Sequence, residues 1–113
     1  MTPGGHPSDE EREARAAPVL ERLVGALAAS DAAGAAGVLR DDACWLSSRG
    51  RHEGEDAAAR ARAFAARARA WADPQQKGAH AVLRWTATDG GGDAGALVVE
   101  TRGAHVVLVC EVP

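Results

Sequence analysis

The stretch Asp41-Asp42-Ala43-Cys44-Trp45-Leu46-Ser47-Ser48 decides how this chain is read. Residues 43–48 have the length and make-up of a short strand. Trp45 and Ser47 stand two apart, so a strand puts both on one face. A large aromatic beside a hydroxyl suits the wall of a small-molecule site, and it suits a packed core equally. Asp41 and Asp42 could be an acid or metal pair. The plainer reading is the solvated end of the helix that precedes the strand.

Upstream, Ser30-Asp31 caps a short helix running to about Leu39. Gly34 and Gly37 weaken it in isolation and would permit a close approach to the helix before it. That longer helix opens at Ser8-Asp9-Glu10-Glu11, a capping box. Leu20, Leu23, Val24 and Leu27 form its apolar stripe, and Pro18 should kink it. Residues 1–7 are rich in Pro and Gly and are expected to be a disordered tail, leaving 8–113 as a single domain.

Downstream, residues 50–54 read as a turn or a second strand. Glu55 to Trp71 reads as one helix, with Ala57, Ala61, Phe64, Ala68 and Trp71 on its buried face. Arg60, Arg62, Arg67 and Arg69 lie away from that stripe and are expected to be solvated. Strands follow at His80–Thr88, Ala94–Arg102 and Ala104–Val112, joined by the Asp89–Asp93 turn and by Arg102-Gly103. This order implies an α+β fold: three helices packed on a strongly curved antiparallel sheet.

At 113 residues the chain holds one modest core. Its 13 Lys and Arg against 16 Asp and Glu give a net charge of -3, which attracts neither nucleic acid nor an anionic membrane. Lys77 is the only lysine, and Ala and Gly abound, as in proteins from GC-rich bacterial genomes. No apolar run is long enough to span a membrane. The N-terminus lacks a secretory pattern, and Cys44 and Cys110 form no CxxC, so a cytoplasmic protein with reduced thiols is expected. His6, His52, His80 and His105 show no ligand spacing, so no metal is expected. Gly90-Gly91-Gly92 precedes no helix and is a turn and not a phosphate loop, and no cofactor is expected.

The pieces Ala28-Ala29-Ser30-Asp31, Leu39-Arg40-Asp41-Asp42-Ala43 and Gly54-Glu55-Asp56-Ala57, in this order and at these spacings, resemble the nuclear transport factor 2-like (cystatin-like α+β) superfamily. The likeness is greatest to its SnoaL-like polyketide cyclase and ketosteroid isomerase branch. The resemblance implies a cone in which helices cover a bent sheet and leave an apolar pocket. It implies binding of a small hydrophobic molecule, in bacterial specialised metabolism, with cyclase, isomerase or hydrolase activity undecided. It also allows a non-catalytic dimerisation or partner-binding module.

In ketosteroid isomerases the first strand carries an Asp base, a place that falls at Ser47 here. Their oxyanion tyrosine would fall near Leu23, and this chain has no tyrosine. Their partner acid falls near Cys110 or Glu111. The resemblance further implies a last strand beside the first, which the sequence lacks room for after Pro113. A homodimer through the outer face or the open edge is therefore expected.

Alternation assigns the sheet faces. Pairing Thr88 with Ala94 and Thr101 with Ala104 puts Val82, Arg84, Val98, Glu100, His105, Val107 and Glu111 on one face. The other carries Ala81, Leu83, Trp85, Leu97, Val99, Thr101, Val106, Leu108, Cys110 and Val112, and should lie under the helices. Trp45, Phe64, Trp71, Leu83, Trp85, Val99 and Leu108 are thus the expected pocket lining. Arg84, Glu100 and His105 form an expected polar row, as a base with an anion clamp or, more plainly, as a dimer interface. Ser47, His52 and Glu111 are the catalytic candidates, although alternation turns Glu111 outward.

Overall fold

The computed structural model describes residues 8–113; the expected disordered tail, 1–7, lies outside the described residues. Helix α1 (Asp9–Ala28) starts where the capping box predicts, with Ser8 Oγ accepting from the Glu11 amide at 3.2 Å. Pro18 sits inside this helix, which buries Ala16, Val19, Leu20, Leu23, Ala26 and Leu27. The short α2 (Ala32–Gly37) is capped by Asp31, whose carboxylate accepts from the Gly34 amide at 2.9 Å. A Cβ at Gly34 would lie 2.3 Å from Asp31 Oδ2 and 3.2 Å from the Ala26 methyl, so this glycine lets α2 close onto α1.

The remaining elements are β1 (Leu39–Ser47), β2 (Gly50–Glu53), α3 (Glu55–Ala65), β3 (Arg69–Trp71), β4 (Gln75–Lys77), β5 (His80–Ala87), β6 (Ala94–Arg102) and β7 (His105–Val112). The sheet runs β2-β1-β7-β6-β5-β3, with β4 also paired to β5. The α+β architecture with three helices on one sheet is as expected. The sheet is mixed and not wholly antiparallel, because β7 lies parallel to β1. The strand expected to be missing beside the first is β7 itself, so β1 has no open edge on that side.

Asp41 and Asp42 do not end a helix. They lie in β1, where Leu39 pairs with Val106 and Cys44 already pairs with Leu108. The extra β1 residues swing out of the ladder as a bulge, and both acids are exposed. The Arg40 guanidinium grips Asp42 with two hydrogen bonds across this bulge.

The expected helix from Glu55 to Trp71 stops at Ala65. Residues 69–71 instead pair antiparallel with β5, Trp71 opposite Trp85. An Ala- and Arg-rich run has strong helical propensity, but propensity is a weak prior against a strand that docks two large side chains on a sheet.

In the first long hairpin Ala94 pairs with Thr86 and not with Thr88. A shift of two residues preserves the faces, so Ala81, Leu83, Trp85, Leu97 and Val99 face the helices as expected. In the second hairpin the register slips within the strand: Thr101 pairs with Val106 but Glu100 pairs with Leu108. Val107 is the extra residue of this bulge, and every β7 side chain beyond it changes face. Val109 is buried, Leu108 and Cys110 turn to the outer face, and Glu111 turns inward. The expected places of Leu108, Cys110, Glu111 and Val112 are thus all reversed, and Val112 is exposed opposite Ala96.

Candidate functional site

Phe64, near the end of α3, is the hub of the inner face. Its ring centroid lies 5.6 Å from Trp45, 6.2 Å from Trp71 and 6.1 Å from Trp85. Strand alternation delivers the three tryptophans from β1, β3 and β5 to one side of the sheet. Trp45 is fully buried, whereas Trp71 and Trp85 are half-buried. Leu83 and Val99 are fully buried deeper in the same layer. Leu108 does not join them.

Glu111 is the polar centre of this cluster. Its carboxylate accepts from Trp45 Nε1 at 2.6 Å and from Arg60 Nε and Nη2 at 2.7 and 2.8 Å. The Arg60 pair is a fork-to-fork contact, the geometry that suits guanidinium and carboxylate best. Burial raises the Glu111 pKa. The hydrogen bonds from Arg60 and Trp45, and the charges of Arg60 and Arg69, outweigh it and hold the carboxyl below its ordinary value. Glu111 is therefore a fixed anion and not a proton donor at neutral pH.

Ser47 and His52 meet across the β1–β2 hairpin, Ser47 Oγ lying 3.0 Å from His52 Nε2. Ser47 Oγ also accepts from the Arg49 amide at 3.2 Å. Trp45 pairs with Val109 and Leu46 with Cys110, so Ser47 stands beside Glu111 one step further along both strands. The three catalytic candidates thus gather at one end of the inner face.

Arg69 enters the same cluster from β3. Its guanidinium carbon lies 3.6 Å from the Phe64 ring centre and 4.4 Å from that of Trp85, a cation held between two aromatic faces. It donates to the carbonyl of Phe64. Burial, followed by repulsion from Arg67, lowers its pKa. Its Nε, and Trp71 Nε1 on the same strand, are buried with no acceptor among the described residues.

Arg60 and Arg69 were expected on a solvated face. The overlooked signal was spacing: Ala57, Arg60, Ala61 and Phe64 follow i, i+3, i+4, i+7, which places Arg60 within the buried stripe. Arg69 carried no such signal, because it belongs to a strand that reads as helix.

The expected polar row does not form. Glu100 binds His80 at 2.8 Å, its Cα partner across the hairpin, while His105 pairs with Arg102 and is exposed. Arg84 stands opposite Ala96 and reaches Gln75 Oε1 at 3.4 Å. Among the described residues no cluster of His, Cys, Asp and Glu suits a metal ion. Among these residues no helix is long and apolar enough to cross a membrane.

No family model matches the chain, and no curated protein matches it. Solved structures do. An NTF2-like protein of unknown function from Mesorhizobium loti superposes with a TM-score of 0.77 at 17% identity, covering 95% of each chain. A proposed polyketide cyclase from Sinorhizobium meliloti gives 0.67 at 14% identity, over 83% of this chain and 93% of that one. An uncharacterised cystatin-fold protein from Novosphingobium aromaticivorans gives 0.64 at 23% identity, over 85% of this chain and 96% of that one. At these identities the likeness is one of fold: the chain has the NTF2-like, cystatin-like architecture.

Proposed function

Starting from an NTF2-like fold, we propose that this chain binds a small, largely hydrophobic molecule bearing a hydrogen-bond acceptor. The binding place is the end of the inner sheet face where Trp71, Trp85, Arg69, Glu111 and Ser47 come together. One observation carries this reading: the two buried donors, Arg69 Nε and Trp71 Nε1, find no acceptor among the described residues. Such a donor costs about 1–3 kcal/mol when unpaired, and a carbonyl or carboxylate offered to both would remove that cost. The aromatic walls supply the apolar body of the site. An aromatic, polyketide-like ketone or acid fits both requirements, in keeping with the proposed cyclase role of the Sinorhizobium protein.

The arrangement best suited to chemistry is the Ser47–His52 pair, in which the imidazole can take the hydroxyl proton directly or through a bound water. This favours a hydrolytic or proton-transfer step over isomerase chemistry, which needs a protonated acid where Glu111 is held ionised.

Tryptophan fluorescence tests the binding, since all three tryptophans contact Phe64. Naphthoate and acetonaphthone should give saturable quenching, weakened in Trp71→Phe. A flat response across aromatic acids and ketones would overturn the reading.

A second reading, a dimerisation module, rests on the outer sheet face. Leu46, Val82, Val98, Leu108 and Cys110 are half-buried there, and Val112 is 40% exposed. The stretch is apolar enough to bury against a second copy of the chain. Sedimentation at micromolar concentration should give a dimer that Leu108→Glu dissociates. A monomeric parent would remove this reading and leave the first intact.

A further inference from the structure

At the opposite end of β5 and β6 from the tryptophan cluster lies a groove of about 610 Å3. The first half of α1, the β4–β5 turn and the β6–β7 turn enclose it. Four cationic side chains border it, Arg12, Arg15, Lys77 and Arg102, against two carboxylates, Asp9 and Glu100. The chain as a whole has fewer basic than acidic residues, so this local surplus does not follow from overall composition.

The two carboxylates are already engaged, Glu100 with His80 at 2.8 Å and Asp9 with Arg12 at 4.0 Å. Glu13 close by accepts from the Gly78 amide at 3.1 Å. Arg15, Lys77 and Arg102 make no side-chain hydrogen bond or ion pair with any described residue. Asp42, whose carboxyl feels the Arg102 charge, is itself held by Arg40. Three cations from three separate elements therefore border one concavity without a counter-charge of their own.

We propose that this groove is a second binding site, which takes a small molecule carrying a phosphate or diphosphate group. Three arguments select that class. A guanidinium fork matches the oxygens of a phosphate, and two unengaged forks flank the lysine. A ligand with a single negative charge would leave two of the three cations unmatched. The volume is that of a site for a metabolite-sized ligand and well beyond that of a simple halide ion. Ala79, half-buried, lines part of the groove and offers an apolar contact for the rest of such a molecule. The site shares no residue with the tryptophan cluster, so its occupancy is independent of the function proposed above.

Calorimetric titration of the full chain with inorganic pyrophosphate, inorganic phosphate and chloride, at constant ionic strength, tests the proposal. Pyrophosphate should bind saturably with one-to-one stoichiometry, phosphate more weakly, and chloride not measurably. Arg15→Gln and Arg102→Gln should each weaken pyrophosphate by about tenfold. Both positions are exposed, so the variants should keep the parent circular dichroism spectrum. Arg62→Gln, an exposed arginine on α3 away from the groove, should bind like the parent. Absence of saturable pyrophosphate binding in the millimolar range would overturn the proposal. So would an equal loss in Arg62→Gln, which would reduce the effect to non-specific charge attraction.

Discussion

Replacing Glu111 with Gln is the sharpest probe of how this interior is built. The side chain keeps its shape and one carbonyl oxygen, so the Trp45 indole retains an acceptor. The charge opposite Arg60 disappears, and an amide group cannot accept the second guanidinium bond. Breaking a fully buried pair from one side costs about 3–5 kcal/mol. Here the Arg60 and Glu111 side chains are 31% and 19% exposed, so solvent recovers part of that cost. The expected destabilisation is therefore about 2–3 kcal/mol. A chain of 113 residues has an unfolding entropy of about 0.24 kcal/mol per degree, so the melting point should fall by about 8–12 °C.

The pH dependence gives a second readout. The folded carboxyl of Glu111 titrates below its unfolded value. The stability it adds is thus fully present above the unfolded pKa, about 4.3, and is lost as the pH falls through the folded one. The gap between parent and Glu111→Gln, read by urea titration of circular dichroism, should be full at pH 7 and narrow progressively below pH 4. Glu53→Gln, which breaks the exposed Arg51 pair, should leave stability essentially unchanged at any pH, because solvent screens that pair. A Glu111→Gln loss equally small, or a gap that does not vary with pH, would refute the description of Glu111 as an inward, ionised partner of Arg60.

Two further substitutions test the packing. A Cβ at Gly95 would lie 2.9 Å from both Trp85 Cζ2 and the Val112 carbonyl oxygen. Gly95→Ala should therefore cost about 1–3 kcal/mol and shift the tryptophan emission, and an unchanged melting point would refute that contact. Asp31→Ala removes the α2 cap and should cost about 1 kcal/mol in thermal unfolding, with no change in tryptophan emission.

Much of the fold was legible from local chemistry. Ser8 and Asp31 cap their helices because a short polar side chain meets the third amide beyond it in each case. The turns at Gly90-Gly91-Gly92 and Gly103 divide β5, β6 and β7 close to where glycine predicts. The faces of β5 and β6 survived a misplaced register because the error was two residues, a whole strand period. Three things were not legible. Nothing local marks Val107 as an extra residue, since Val106-Val107-Leu108-Val109 reads as an unbroken apolar strand. β3 hides in a helical composition, and β4 is too short to carry a pattern. For the site, Ser47, His52 and Glu111 were named from position alone, but the guanidinium groups around Glu111 come from an apparent helix face whose exposure was misjudged.

The bulge at Val107 links the fold to its chemistry. Without it, alternation would turn Glu111 to the outer face, and Arg60, Arg69 and the Trp45 indole N–H would all crowd the inner face without an anion. With it, one carboxylate pairs with Arg60 and the Trp45 indole and offsets part of the positive charge there, and the corner becomes committed to an ionised acid. A site of this kind can orient a ligand and hold charge, but it has no proton to give from Glu111 at neutral pH. Any proton movement then falls to His52, whose imidazole already touches the Ser47 hydroxyl. His52→Gln should accordingly abolish turnover of a bound ester or ketone while leaving its fluorescence-detected affinity nearly unchanged. Turnover that persists in His52→Gln would remove the Ser47–His52 pair from the chemistry, and a parent with no turnover at all would leave a binding site alone.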